Sequence, residues 1–411
     1  MSRVILHSDL NNFYASVECL YHPELRKKPV AVAGDKEQRN GIVLAKNDKA
    51  KKFGVATGNP LWLAKQRCPD IVFVPPHYDL YLEHSRLVKN IYYEYTDQIE
   101  SYGIDECWLD VTRSRRGGKE IADEIRHRIS SEIGITASVG VSFNKVFAKL
   151  GSDYKKPDAT TVIGEEDFRQ LVWPLPVGAL LFVGRATAVK LRKYGIYTIG
   201  ELAQTDCTFL ERRFGKNGRM LWLFANGLDR SPVAAFDAEP VIKSIGNSTT
   251  TPRDLVTDED VKIPLRILSE SVSSRLRERN LICRTVQLGI RTTDLVWMER
   301  QAKLAEPNRT AKAIFELAFA LYQKNHRPGS RVRSLSVRAC DLFLKPEYEQ
   351  LTLFGETEVQ KQEKLEAAVD CLRGRYGYFS LRQGRMFVDE QLSDLNPKED
   401  HIIHPEGFQF S

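Results

Sequence analysis

YGIDECWLD, residues 102–110, places two carboxylates side by side, Asp105 and Glu106, in a run that is otherwise mostly apolar. The flanking isoleucine, tryptophan and leucine are typical of a buried strand. Neighbouring residues on a regular strand point to opposite faces, so the two carboxylates could not serve one site from within it. We therefore predict that the chain turns at or beside this pair. Both carboxylates then lie at the tip of a short hairpin, with Gly103 easing the backbone.

Composition restricts the class of protein. The chain has 411 residues, of which 42% are hydrophobic and 28% charged, as expected for a globular protein of several domains. Its seven cysteines are scattered without a C-x-x-C pair, which disfavours a zinc site or a disulfide framework and favours a reducing cytoplasm. The first residues lack the features of a signal peptide, and no apolar run approaches the roughly 20 residues of a membrane span. A cytoplasmic protein without a membrane partner is predicted.

Charge is distributed unevenly along the chain. Residues 241–345 carry 19 basic and 11 acidic side chains, whereas residues 346–411 carry 7 basic and 13 acidic ones. A basic module ahead of an acidic tail favours contact with a polyanion at 241–345. Charge alone also fits a plain solvated face.

The order of elements predicts an α/β region followed by helices and then an α+β region. Residues 3–9 and 135–143 are typical of buried strands, and the segment NKVFAKLGSDY after the second of these predicts a helix. Prolines at 174 and 176 mark the first boundary. Residues 241–345 predict a small sheet with two helices on one face, and one further helix is predicted near 358–372.

Three carboxylates are placed for metal chemistry: Asp9, at the end of the first strand, with Asp105 and Glu106. Buried carboxylates rarely lack a partner, and a hard divalent cation such as Mg²⁺ prefers oxygen ligands and substrate phosphates. Asp9 alone also fits a helix N-cap. Neither an HExxH zinc motif nor a phosphate-binding loop ending in GK[ST] occurs in the sequence.

Several motifs together resemble the Y-family translesion DNA polymerases, most closely the bacterial DNA polymerase IV and UmuC-like group. They are DLNNFYASVE (9–18), KFGVATGNP (52–60), YGIDECWLDVT (102–112), ASVGVSFNKVFAKLGSDYKKP (137–157) and NGRMLWLFANGLD (217–229). The resemblance implies an α/β and α+β multidomain right-hand polymerase. Its predicted divisions are palm and fingers at 1–173 (fingers about 17–80), helical thumb with a helix–hairpin–helix at 174–234, little finger at 241–345 and C-terminal tail at 346–411.

The resemblance implies a template-directed, error-prone polymerase that uses two Mg²⁺ ions per active site. Asp9 and Asp105 would bridge both ions, and Glu106 would ligate the ion that activates the primer 3′-hydroxyl. The backbone carbonyl of Leu10 would complete the nucleotide-side ion. Primer–template DNA and deoxynucleoside triphosphates are the implied partners of a monomeric enzyme.

Nucleotide contacts are implied for four residues: Phe13, Tyr14, Lys51 and Lys156. Tyr14 would be the steric gate that excludes a ribose 2′-hydroxyl, although an aromatic pair here also fits a helix core. Asp48 stands where the family commonly has a phosphate-binding tyrosine, and it would repel a triphosphate unless a cation intervenes or it turns away. Asn47 is an alternative hydrogen-bond donor there.

DNA contacts are implied in the second and third divisions. Gly184 keeps one glycine of the thumb hairpin and Arg185 follows it, while Phe182 replaces the other glycine and predicts a distorted phosphate site. In the basic module, Arg331 and Arg333 are implied phosphate contacts. Further arginines that fit this role are Arg327, Arg338, Arg275, Arg277 and Arg279.

The tail contains QLTLFG (350–355), which resembles a peptide that docks bacterial polymerases on the sliding clamp. The implied contacts are Gln350, Leu351, Leu353 and Phe354. The alternative is that this peptide packs on the protein's own surface. Three histidines without metal-ligand spacing are interpreted as structural: His7, His77 and His84.

Two rival functions remain open from the sequence. A nucleotide cyclase shares palm-like metal chemistry but predicts neither a thumb nor a basic C-terminal module. A non-enzymatic DNA-binding subunit with a decayed site is favoured only by Asp48 and Phe182.

Overall fold

The structure is a computed structural model that describes residues 3–34, 41–238, 241–327, 329–346 and 357–398. The chain folds into two compact units, with the division between residues 240 and 241.

The strands of the first unit form two sheets. In chain order they are β1 (Ile5–Leu10), β2 (Val30–Ala33), β3 (Val43–Lys46), β4 (Val72–Val74), β5 (Ile99–Ser101), β6 (Glu106–Asp110), β7 (Ala137–Ser142) and β8 (Thr160–Ile163). The larger sheet has the order β5–β6–β1–β7–β8 and the smaller one the order β3–β2–β4. In the larger sheet β1 is antiparallel to both of its neighbours, so its backbone is held on both sides.

Besides its strands, the first unit contains a set of α-helices. They are α1 (Phe13–Tyr21), α2 (Asp48–Lys52), α3 (Leu61–Arg67), α4 (Tyr78–Tyr93), α5 (Gly118–Arg128), α6 (Lys145–Tyr154), α7 (Phe168–Val172), α8 (Arg185–Lys193), α9 (Ile199–Gln204), α10 (Cys207–Phe214) and α11 (Lys216–Ala225). Leu6 and Leu10 of β1 join a core with α1, α4 and α5. Ile5 lies on the opposite face with Ala148 of α6. Since side chains alternate along a strand, Asp9 also lies on the α6 face.

The predicted strand and helix at 135–154 are confirmed as β7 and α6. The Asn144 side chain caps α6 by accepting a hydrogen bond from the N–H of Phe147 at 2.8 Å. Gly140 of β7 allows α6 to approach the sheet closely, because a Cβ there would overlap the carbonyl oxygen of Ala148 and lie 2.5 Å from the nitrogen of Ser152. This close approach brings the polar side chains of α6 to β1.

The predicted hairpin at 102–110 is also confirmed. β5 and β6 pair antiparallel, and residues 102–105 form the bend between them, closed by the Tyr102 N–H donating to the Glu106 carbonyl at 3.0 Å. Asp105 therefore lies in the bend, and Glu106 begins β6. Gly103 does not adopt a positive φ, so the bend does not need the conformational freedom of glycine at this position. The expected role of Gly103 is therefore wrong.

The second unit contains a four-stranded antiparallel sheet with two helices on one face, as predicted. The elements are β9 (Ser244–Leu255), α12 (Asp258–Glu278), β10 (Leu281–Thr292), β11 (Trp297–Asn308), α13 (Ala311–Asn325) and β12 (Val332–Leu344), and the strand order is β11–β10–β12–β9. Val286 and Leu288 of β10 and Val337 of β12 pack with α12 and α13 in one core.

The predicted helix near 358–372 is confirmed as α14 (Glu358–Tyr376), which is followed by α15 (Glu390–Ser393). α14 belongs to the second unit and is held to α12 by Arg277, which contacts Glu366 and Asp370 at 2.6 Å each. Arg275 likewise donates to Gly246 and Asn247 within the unit. Both guanidinium groups therefore make contacts within the unit, and the role of these two arginines as DNA contacts stays a prediction. No helix in the described part of the chain is long and apolar enough to cross a membrane.

Candidate active site

The strand register brings the three predicted carboxylates to one place. Asp9 of β1 stands directly opposite Glu106 of β6, so their side chains lie on the same face of the sheet. The Leu10 N–H donates to the Asp105 carbonyl at 3.0 Å, which ties the bend to the end of β1. All three carboxylates line an open cleft of ≈ 390 Å³, and Leu10 lines it too.

Two of these carboxylates form ion pairs with lysines. Lys156 Nζ lies 2.6 Å from Asp9 Oδ2 and 2.7 Å from Asp153 Oδ1. Lys149 of α6 forms an ion pair with Glu106 Oε2. Among the described residues, no group of three or more His, Cys, Asp or Glu side chains is arranged to hold a metal ion. The carboxylates share the cleft, but in this structure they turn toward ammonium groups instead of converging.

The donor set nevertheless fits a hard cation. Burial raises the pKa of Asp9 to about 7 against the opposing effect of Lys156, and burial with the charge of Glu106 raises the pKa of Asp105 to about 6. Burial also disfavours ionised Glu106, but its contacts with His7 and Lys149 prevail and lower its pKa to about 2. Carboxylates that are costly to ionise in a protein cleft are relieved by positive charge, and oxygen ligands suit Mg²⁺.

His7, interpreted from its spacing as structural, contacts the site directly. The ring is fully buried, with Nδ1 2.8 Å from Ser152 Oγ and Nε2 3.3 Å from Glu106 Oε2. Burial lowers the pKa of His7 to about 4, so the ring is neutral near pH 7. Alternation along β1 was the only available signal, because it places His7 on the same face as Asp9.

The two aromatic residues at the start of α1 differ in how deeply they are buried. Phe13 is buried in the core beneath the sheet, whereas Tyr14 is partly buried, and both line the cleft. The Tyr14 ring stacks on Tyr81 with a centroid distance of 4.3 Å and an interplanar angle of 9°. Tyr81 in turn donates a hydrogen bond to the buried carboxylate of Glu18. The Tyr14 ring is thus held from behind by a ring that is itself anchored.

Three lysines line the cleft: Lys51 and Lys156, which were predicted, and Lys46, which was not. Burial lowers the pKa of Lys46, and the charges of Lys51 and Lys156 lower it further. Lys46 donates to Thr57 Oγ1 at 3.1 Å. Its position at the end of β3, before the predicted phosphate contacts, was a signal that could have identified it.

Asp48 lines the same cleft and accepts a hydrogen bond from Asn12 Nδ2 at 3.2 Å. Asn47 is not among the residues that line the cleft, and its role as a phosphate donor stays a prediction. Its side-chain oxygen caps α2 by accepting from Ala50, and its amide donates to the Lys28 carbonyl at 2.8 Å. The Asn47 oxygen is thus used in capping, and one of its two amide N–H groups is used in the contact with Lys28.

Comparison with known proteins identifies the family. Residues 8–153 match the impB/mucB/samB family, residues 242–353 match the C-terminal domain of that family, and residues 181–229 match a domain described as the DNA polymerase-iota thumb domain. DNA polymerase IV of Acetivibrio thermocellus is 53% identical over 399 residues, which cover 96% of this chain and 100% of that protein. DNA polymerase IV 1 of Bacillus subtilis is 38% identical over 395 residues, covering 95% of this chain and 94% of that protein. A solved structure of a Y-family DNA polymerase chimera of Dbh and Dpo4 is 25% identical with a TM-score of 0.73, covering 83% of this chain and 100% of that chain.

The chain belongs to the Y-family DNA polymerases. It is a DNA-directed DNA polymerase, and the predicted α/β and α+β right-hand fold is confirmed. These matches rule against the nucleotide cyclase and the non-enzymatic subunit. Enzymes of this family generally use divalent metal ions, in agreement with the oxygen-rich cleft.

The polymerase exposes the predicted thumb contacts. Gly184 caps α8 with a φ of −70°, and both Gly184 and Arg185 are exposed. Phe182 has a φ of 65°, in the left-handed region that favours glycine and is strained for a bulky residue. The backbone therefore keeps a glycine-like conformation at this position despite the substitution, and the Phe182 ring packs 6.2 Å from that of Phe224.

In the second unit, Arg331 is exposed immediately before β12, and Arg333 is partly buried within that strand. Arg338 is exposed farther along β12, opposite Gln287 of β10. The predicted clamp contacts, Gln350, Leu351, Leu353 and Phe354, lie outside the described residues.

Proposed function

We propose that this polymerase adds deoxynucleotides to a primer 3′-hydroxyl by two-metal phosphoryl transfer and is specialised for error-prone translesion synthesis. The observation that carries the mechanism is the register of Asp9 opposite Glu106, with Asp105 in the adjoining bend and all three lining one cleft. The family membership supports the translesion role and the low fidelity.

The proposed ligands are the side chains of Asp9, Asp105 and Glu106 and the backbone carbonyl of Leu10. Two Mg²⁺ ions bound there supply positive charge that activates the 3′-hydroxyl and neutralises the departing pyrophosphate. Lys156 forms an ion pair with Asp9 at the cleft. We assign Lys156 and Lys51 to the triphosphate, since both line the same cleft.

Primer extension in Mg²⁺ tests the mechanism. Asp105→Ala and Glu106→Ala are each expected to reduce the extension rate by at least about 10³-fold, because each removes charge that stabilises the transition state. Glu120→Ala is a suitable control, since this exposed carboxylate on α5 pairs with Arg116 and does not line the cleft. Extension that persists in the Asp105 and Glu106 variants contradicts the proposal, and bypass of an abasic template site in the same assay tests the translesion role.

Tyr14 is proposed as the steric gate. The ring is backed by the anchored Tyr81, so it cannot yield cheaply to a ribose 2′-hydroxyl. Tyr14→Ala is expected to raise ribonucleotide incorporation by about 10²-fold or more while deoxynucleotide incorporation changes little. Equal discrimination in the variant and the unaltered protein would contradict this role.

DNA phosphates are proposed to bind Gly184 and Arg185 in the first unit and Arg331 and Arg333 in the second. We further propose that residues 350–355 bind a sliding clamp, which deletion of that peptide tests through loss of clamp-stimulated synthesis. We also propose that the enzyme is monomeric and cytoplasmic. Its proposed divisions are palm and fingers at 1–173, thumb at 174–234, little finger at 241–345 and C-terminal tail at 346–411.

A further inference from the structure

We propose that a groove in the second unit is a docking site for a partner protein, which binds there through an amphipathic helix with large apolar side chains on one face and acidic side chains beside them. The groove lies between α12, α13 and α14 and has a volume of ≈ 360 Å³. None of the proposed metal ligands or nucleotide contacts lines it, so the inference goes beyond the polymerase activity.

Ion pairs within the unit already use the acidic side chains of the groove. Arg277 contacts Glu366 and Asp370 at 2.6 Å each, and Arg373 contacts Glu270 at 3.0 Å. These pairs hold α14 against α12. The walls of the groove are therefore formed before anything binds, which reduces the ordering cost of docking.

Three other basic side chains of the groove form no ion pair with any described residue: Arg266, Lys312 and Arg382. The Nε atoms of Arg266 and Arg382 are buried and make no hydrogen bond within the described part of the chain. The Arg266 guanidinium lies 4.0 Å from the centre of the Phe315 ring, donates to Gln383 Oε1 at 3.3 Å, and has its pKa lowered by burial. Since a buried donor without an acceptor is costly, charge complementarity favours an acidic ligand.

An exposed apolar stripe on α14 borders these basic groups. Leu365 and Val369 line the groove, and Leu365 is 59% exposed. Leu372 and Tyr376, which are also exposed, continue the stripe, because spacings of three and four residues return to the same face of a helix. Leu381, a further exposed side chain, lines the groove as well. Contiguous apolar surface with a polar rim is typical of a protein docking site.

The shape of the groove favours a helix as the bound element. Its α14 wall runs from Gln362 to Arg373, which is three turns or about 16 Å. The described residues that line it belong to helices and to one short loop, so there is no strand edge with which an extended peptide could pair. A helix satisfies its own backbone groups and presents anchors at positions i, i+3 or i+4, and i+7.

A partner protein fits the groove better than a second copy of this chain or DNA. A symmetric dimer through the groove would bring the unpaired basic groups of the two copies together, and like charges disfavour that contact. A DNA backbone supplies acidic groups but would leave the apolar stripe of α14 uncovered.

Selection from a displayed peptide library tests the proposal on the unaltered full-length protein. The library holds helical peptides of about 16 residues, which exceed the three turns of the groove, with varied apolar residues at i, i+4 and i+7 and with Glu, Gln or Lys beside them. Selected peptides are expected to contain Glu at the flanking positions at least about 5-fold more often than Lys. Failure to select any peptide, or a preference for Lys, would overturn the proposal.

Two substitutions then locate the bound peptide. Leu365→Glu and Lys312→Met are each expected to weaken binding of a selected peptide by about 10-fold or more in fluorescence anisotropy. Both side chains are exposed, so the fold should be retained, which thermal unfolding checks. Val359→Glu on α14 and Lys324→Met on α13 are the matched controls, because both residues are exposed and neither lines the groove. Equal affinity in the unaltered protein and both groove variants would refute the assignment.

Two further measurements test the other occupants. Sedimentation velocity is expected to show no self-association through the groove, and a dimer that Leu365→Glu dissociates would overturn the proposal in favour of a second copy. Lys312→Met is expected to leave the affinity for primer–template DNA unchanged, and a loss would assign the groove to DNA instead. Primer extension without peptide should be the same in both groove variants as in the unaltered protein, so this inference can fail while the proposed polymerase mechanism stands.

Discussion

Among individual side chains, the three lysines of the cleft define its preference for anions most directly. Lys46 is close enough to Lys51 and Lys156 for their charges to lower its pKa, and bringing like charges together is useful only if a polyanion enters between them. Lys46→Met is expected to raise the KM for a deoxynucleoside triphosphate by about 10-fold with little change in kcat, because a charged contact is worth about 1.5 to 3 kcal/mol.

Asp48→Ala is expected to lower the KM for a deoxynucleoside triphosphate, because it removes a negative charge from the cleft. Lys49→Ala provides the control, because Lys49 is an exposed lysine on α2 that does not line the cleft. Steady-state incorporation of one nucleotide measures all three variants. If Lys46→Met and Lys49→Ala have the same KM as the unaltered protein, Lys46 does not contact the nucleotide.

Among strands and helices, the contact between β7 and α6 determines whether the site assembles. Gly140→Ala is expected to destabilise the protein by about 1 to 3 kcal/mol, because its Cβ would overlap the backbone of α6 at Ala148. The displaced α6 carries Lys149 and Ser152, so primer extension should fall more than stability alone explains. Gly117→Ala, whose added Cβ would meet nothing within 4 Å, is the control for both thermal unfolding and extension.

Local sequence patterns predicted the elements well but not the partners of their side chains. Two adjacent carboxylates in an apolar run were enough to predict the bend at Asp105. Alternating apolar residues predicted β7, and the segment that begins with the capping asparagine predicted α6. The pairing of Lys156 with Asp9 and of His7 with Ser152 joins residues 147 and 145 positions apart. Such contacts depend on strand order and on the distance between a helix and a sheet, which no short segment encodes.

At the scale of the whole chain, the C-terminal end is another place where local sequence patterns did not predict contacts between distant residues. An acidic tail was predicted after residue 345, but α14 packs into the second unit through Arg277 and Glu366, which lie 89 residues apart. Part of the charge asymmetry is therefore neutralised internally: Glu366 is buried, and Arg373 pairs with Glu270 at 3.0 Å. Basic groups that remain exposed can contact a polyanion, and Arg331 and Arg338, beside and on β12, are among them.

Binding of this polymerase to DNA should consequently depend steeply on salt, because cations that neutralise phosphates release condensed counterions. Arg331→Ala and Arg333→Ala are each expected to make the slope of log affinity against log salt concentration shallower by about one unit, uniformly across DNA sequences. Arg375→Ala, on the exposed side of α14, is the matched control and should leave the slope unchanged. Fluorescence anisotropy with a labelled primer–template at several salt concentrations measures the slopes. An affinity insensitive to salt would show that the exposed arginines of the second unit do not bind the phosphate backbone, whatever their number.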